Sequence, residues 1–203
     1  MELRLHAVLK TLLFLACCLA SCHDYGELQS PTPGLMISTD QELFALITQT
    51  QPFTSYALFP NADSVTSGTL NGSTAHQPLV RVSINDTAQR ALQNGRLPAG
   101  TRFPDGSIIL KQIMSGGPDG VPIHAELFGV HRDVVGAGQT ILYAVIYKDQ
   151  SNPLASNGWL WAEFQIDGTP FFSITRKGQA CTECHSREQG VQNDFVRTFE
   201  RQR

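Results

Sequence analysis

The sequence predicts an α+β fold: a single domain built on a mainly antiparallel β-sheet of about five strands, with flanking helices. Three observations lead there. Five β-rich runs are separated by turn signals, which is the pattern of strands joined by short connections. A capped amphipathic segment precedes the runs, and a helical segment follows the last of them.

In chain order, Thr39-Asp40-Gln41-Glu42 has capping-box spacing, and Phe44, Ala45, Ile47 and Thr48 follow at helical intervals. This predicts a helix over about 40–50, ended by Pro52. Residues 61–76 are polar and glycine-rich and read as a surface loop. Leu79–Ile84 alternates as a strand, and Asp86 is placed to cap a short helix, TAQRALQN, that Gly95 stops. The turn Pro104-Asp105-Gly106 leads into SIILKQIM, and two further strand candidates, IHAELFGV (123–130) and TILYAVIYK (140–148), follow. WLWAEFQI (159–166), closed by Asp167-Gly168, is the last.

The N-terminus has a different character. Arg4 and Lys10 precede a short apolar run, Thr11–Ala20, too short for the roughly 20 residues that span a bilayer. Basic start, short apolar core and small residues predict a secretory signal over 1–21. Leu19-Ala20-Ser21-Cys22 reads as a lipobox, in which Cys22 becomes the lipidated first mature residue. Acyl chains contribute about 0.8 kcal/mol per buried methylene, so two or more give a stable anchor. Residues 22–37, with Pro31, Pro33 and Gly34, read as a tether, and 38–203 as the folded domain. The expected location is the periplasmic side of a bacterial membrane, lipid-anchored, with a soluble periplasmic form as the alternative.

Charge and cysteine use narrow the function. Removing Arg4, Lys10 and Glu2 with the signal takes the formal net charge from −3 to −4, and no basic run suggests nucleic acid. Cys17 and Cys18 leave with the signal, and Cys22 is spent on lipid. Cys181 and Cys184 remain in an oxidising setting, where they have to be used together.

They stand in Cys181-Thr182-Glu183-Cys184-His185, a C-x-x-C-H motif. In such a motif two thiols form thioethers with the haem vinyl groups, and the histidine binds iron from below. Zinc is the first rival, but a closed zinc site takes four ligands, and the chain has no second cysteine pair. A dithiol oxidoreductase is the second, but its motif belongs near a βαβ unit, not after a sheet. The motif therefore predicts one covalent haem c, with Cys181 and Cys184 as attachment points and His185 as proximal iron ligand. Cytochromes that carry electrons commonly supply a downstream methionine as sixth ligand. The tail Ser186–Arg203 holds no methionine, histidine or lysine, so the sixth position is open or filled from upstream.

The ordered pieces "ELFALITQTQPFTSYALFP", "HQPLVRVSIND", "FPDGSIILK", "YKD", "GWLWAEF", "ACTECH" and "NDFVRTF" resemble the cytochrome P-460 family, which includes the beta-sheet type of cytochrome c prime. The resemblance spans about residues 41–199 and implies a periplasmic mono-haem domain whose haem packs on an antiparallel sheet. Some members oxidise hydroxylamine, and others bind nitric oxide or carbon monoxide. It implies that Lys111 matches a lysine crosslinked to the haem edge in the enzymatic members. Strand alternation independently sets Lys111 between Ile109 and Ile113 on one face. Where enzymatic members carry a distal glutamate before a Lys-Asp pair, this chain has Ala144, between Leu142 and Ile146. That predicts an apolar distal wall without a general base, with Glu126 the nearest strand carboxylate.

Arg81 is a candidate for a haem propionate contact, weighed against an ordinary exposed strand arginine. His76 is expected to be a solvated loop residue, His124 and His131 core or surface residues, and Trp159, Trp161 and Phe164 sheet packing. The favoured function is an exported haem protein with open or weakly ligated iron, binding a small diatomic or nitrogenous ligand such as nitric oxide. The alternatives are an oxidoreductase acting on hydroxylamine-like compounds, and an electron-transfer cytochrome with a redox partner protein.

Overall fold

In a computed structural model of the chain, residues 36–60, 66–67, 76, 79–114, 139–187 and 190–198 are described, all within the unit Gly34–Arg203. The predicted signal, Cys22, nearly all of the predicted tether, the strand expected at 123–130, and His124, Glu126 and His131 lie outside the described residues.

The capping box at Thr39 forms as expected. The Thr39 side chain accepts from the Glu42 N–H, and the Glu42 carboxylate accepts from the Thr39 N–H. This starts α1, Asp40–Ala45, which widens into a π-helical turn over Leu46–Thr50. Leu43, Leu46 and Ile47 are buried on one side, each contributing about 1.5–3 kcal/mol through the surface it removes from water. The second predicted helix is shorter than expected. α2 runs only over Asp86–Arg90, and its cap is Asn85 rather than Asp86. The Asn85 Oδ1 accepts from both Ala88 N and Ile108 N, binding the helix start to a strand.

The strands are β1 (Ala57–Leu58), β2 (Thr66–Ser67), β3 (Leu79–Ile84), β4 (Ile108–Met114), β5 (Thr140–Lys148), β6 (Trp159–Gln165) and β7 (Pro170–Phe172). All pairings are antiparallel, in the order β1-β3-β4-β5-β6-β7. β2 pairs with the same strand as β1, further along that edge. The fold class is as predicted: α+β, a single domain. β3 to β6 sit where the sequence placed them. β1, β2 and β7, at two or three residues each, are too short to show periodicity, and β2 falls in the stretch expected to be loop.

Both faces of the central strands are covered. Ile108, Leu110, Val145, Leu160, Ala162 and Phe164 pack with α1 on one face. Val80, Val82, Ile109, Ile113, Ile146, Trp159 and Trp161 face the other way, with Phe195 and Val196 of the C-terminal tail against them. Two-sided burial explains why these strands read as nearly continuous apolar runs. Phe164 is therefore sheet packing, as expected, on the α1 side.

Candidate functional site

The C-x-x-C-H residues form a short helix, α3, Cys181–His185. A run of left-handed backbone, Lys177 (φ 50°), Gly178 (φ 68°) and Ala180 (φ 71°), turns the chain into it. Thr182 secures the turn, with N–H and hydroxyl both donating to the Gly178 carbonyl, at 2.9 and 3.1 Å. Residues three and four apart share a helix face. Cys181 therefore stands beside Cys184 and His185, and all three line one cavity against the sheet.

That cavity measures about 270 Å³, far beyond the roughly 10–15 Å³ a single water needs on the same measure. Its floor is a row of directly opposed residues, Val82, Lys111, Ala144, Glu163 and Phe172, one from each of β3 to β7. Opposed residues of an antiparallel sheet project to the same face, and all five line the cavity.

The protein holds His185 by its other ring nitrogen. The ring is buried, and Nδ1 lies 2.6 Å from the Phe195 carbonyl oxygen, to which it donates. That contact leaves Nε2 as the basic nitrogen, the tautomer an iron ligand needs. Burial, reinforced by the Lys111 cation, holds the imidazole well below its usual pKa, so it is neutral. Burial, with the Glu163 carboxylate adding to it, pushes the Cys181 thiol up to about 11. Trp161 packs edge-on to His185 at 4.9 Å between ring centroids. It thus lies on the cavity as well as in the sheet, whereas Trp159 is core.

One expectation is corrected here, and of the two readings weighed for Arg81 the propionate contact falls away. Arg81 does not reach the cavity. Val80 and Val82 line it, and alternation turns Arg81, opposite Gln112, to the other face. His76 is not a solvated loop residue. It lines the cavity, its side chain is 19% exposed, and its Nε2 lies 3.1 Å from Glu163 Oε1. Ala144 and Ile146 give the cavity apolar lining, and Glu163, opposite Ala144 on the neighbouring strand, adds a carboxylate to it.

Sequence reasoning missed Glu163, Arg197 and Thr198. The alternation of Trp159, Trp161 and Glu163 carried the signal for the first. The other two come from a tail without periodicity. Arg197 is buried and donates to Cys184 Sγ at 2.9 Å and to the Cys184 carbonyl at 3.3 Å. Thr198 Oγ1, buried on the same cavity, has no hydrogen-bond partner among the described residues.

The chain matches the model of the cytochrome P460 family over residues 62–198. It belongs to the cytochrome P460 family. Comparison with curated proteins found no match. Membership implies a haem cofactor, and the cavity fits one. It presents two free thiols and a neutral imidazole from a single helix face. A cytochrome P460 cavity also has to satisfy anionic propionates, and the guanidinium of Arg197 and the orphaned hydroxyl of Thr198 are donors of the right kind.

Proposed function

We propose that this cytochrome P460 family member is an exported c-type cytochrome carrying one covalent haem, and that it binds a small uncharged ligand such as nitric oxide. The observation that carries this reading is the His185 environment: a buried neutral imidazole, its Nδ1 tied to a carbonyl, between the two thiols and a largely apolar sheet face. Cys181 and Cys184 would hold the haem as attachment sulfurs, and His185 would bind its iron. When bound, the haem supplies an iron that takes small ligands or exchanges single electrons. The apolar side chains of Ala144, Ile146 and Val82 on the cavity would exclude water and favour uncharged diatomic ligands over charged ones. Cys22, on sequence grounds, anchors the chain by lipid on the periplasmic side of the membrane.

Glu163 favours a second reading, oxidation of hydroxylamine-like nitrogen compounds. Its carboxylate stands beside Ala144 on the cavity floor, where it can take a proton from a bound N–H or O–H. His76 holds that carboxylate at 3.1 Å. Lys111 lines the same cavity, which supports a crosslink like the one the enzymatic members carry. The electron-carrier alternative needs a sixth ligand from upstream, and among the described residues His76 is a second imidazole, beside that of His185, on this cavity.

The deciding experiment is production of the chain in a host competent in cytochrome c maturation. Denatured protein should keep its haem mass, and Cys181→Ser with Cys184→Ser should lose it. A ferrous spectrum that is high-spin and shifts with carbon monoxide supports ligand binding, whereas a low-spin spectrum indifferent to the gas makes the protein a carrier. Hydroxylamine turnover that Glu163→Gln abolishes, with a displaced Soret band that Lys111→Ala restores, would establish the oxidase. Colourless denatured protein overturns the haem assignment.

A further inference from the structure

Lys148 and Asp194 form a fully buried ion pair that the ligand chemistry above does not use. Lys148 ends β5 on the cavity face, opposite Trp159, and its Nζ lies 3.0 and 2.9 Å from the two Asp194 carboxylate oxygens. Both side chains are 0% exposed. The carboxylate also accepts from the Phe103 N–H at 3.0 Å and from Arg102 at 3.2 Å. The Asp194 backbone carbonyl accepts from the Trp159 indole N–H at 2.9 Å. Three separate segments thus grip one residue of the tail.

That residue begins a turn that side chains ordinarily avoid. Asp194 (φ 52°) and Phe195 (φ 65°) are both left-handed, and neither is glycine. Such a conformation persists only where the surroundings over-determine it. The turn's product is a carbonyl: Phe195 O, one residue beyond the pair, accepts a hydrogen bond from the His185 Nδ1–H, with 2.6 Å between N and O.

We infer that Lys148 and Asp194 are positioning residues for His185, holding the Asp194–Phe195 turn so that the Phe195 carbonyl stays aimed at the imidazole. The inference rests on His185 being the haem ligand. A buried ion pair is a weak stability device, since desolvation cancels most of its attraction, and apolar side chains of the same volume would pack as well. What it supplies is direction. A fixed acceptor on Nδ1 makes the ring more basic toward the metal and fixes its orientation. Burial lowers the Lys148 pKa while Asp194 raises it, and the grip itself stands on the distances above.

The test uses the haem-loaded full chain, with the iron–histidine stretching band of the ferrous protein and the reduction potential as readouts. The double variant Lys148→Met/Asp194→Asn removes both charges and leaves the volume nearly unchanged. Its band should shift down and broaden, and its potential should rise. Leu160→Val, on the α1 face of the sheet, should lower stability and leave both readouts at their native values. A double variant that attaches haem and keeps the native band and potential overturns the inference. Should it fail to attach haem, Trp159→Phe decides, since it removes only the indole donor to Asp194. Its band should move in the same direction by less, and an unmoved band refutes the positioning role. Absence of covalent haem from the unmodified chain sinks the cofactor reading instead, and the two failures are told apart by mass.

Discussion

Gly178 offers a direct test of how the sheet and the haem-motif helix are fitted together. A β-carbon there would stand 2.6 Å from Trp161 Cδ1, 2.9 Å from Trp161 Cγ and 2.8 Å from Thr182 Cγ2. Real β-carbons do not approach that closely. Trp161 is 2% exposed and packs edge-on to His185, so its ring cannot leave the turn without disturbing that contact. Gly178→Ala should therefore carry two costs. Placing a side chain at φ +68° costs about 1 kcal/mol after the stiffer unfolded chain is allowed for. Overpacking against the indole adds roughly 1–3 kcal/mol. Gly100 is the internal control, because it has nearly the same backbone (φ +75°) with open space where a β-carbon would go. Gly100→Ala should show the backbone cost alone. Urea denaturation of both variants isolates the indole contact as a difference of about 1–3 kcal/mol. For a domain this size each kcal/mol moves the melting midpoint by about 2–4 °C. Because Trp161 also touches His185, the Gly178 variant should broaden the haem absorbance bands and the Gly100 variant should not. Equal destabilisation of the two variants would show that Trp161 is not wedged over the turn.

Two further outcomes follow from the hydrogen-bond pattern and the buried histidine. Asn85 is buried and serves three segments, accepting from Ala88 N and Ile108 N and donating to Gly106 O and Gln51 Oε1. Asn85→Ala strands buried backbone groups and should cost about 2–4 kcal/mol in a denaturant titration, several times an ordinary helix cap; a loss below 1 kcal/mol contradicts the network. The apoprotein should lose stability as pH falls below about 6.5, because the unfolded chain protonates a histidine that the fold keeps neutral. The unfolded state then binds the extra proton, so the slope approaches about 1.4 kcal/mol per pH unit for His185. Replacing His185 with Met should remove that slope, and persistence of the full slope would place its origin elsewhere.

Much of the fold was legible because its elements carry local signals. The Thr39 capping box needs only four residues, and β3 to β6 announce themselves by β-branched and aromatic composition between turns. The C-x-x-C-H spacing is equally local: one turn of helix sets both thiols and the imidazole on a common face. Lys111 between two isoleucines required only strand alternation. Family membership then agreed with the motif.

The other side of the cavity could not be read in this way, because its geometry comes from register between strands far apart in sequence. Ala144 was found by alternation along one strand, but Glu163 stands beside it only because β5 and β6 pair as they do. His76 and Arg197 stand on the cavity and Arg81 does not for the same reason: proximity to the cavity depends on which face a strand presents and where the tail returns. The sequence by itself determined the chemistry on offer, two thiols and an imidazole whose spacing along one helix is set by covalent geometry. Tertiary structure alone decided what surrounds them, because sheet pairing and a buried ion pair bring carbonyl, carboxylate and guanidinium from separate segments to within hydrogen-bond reach.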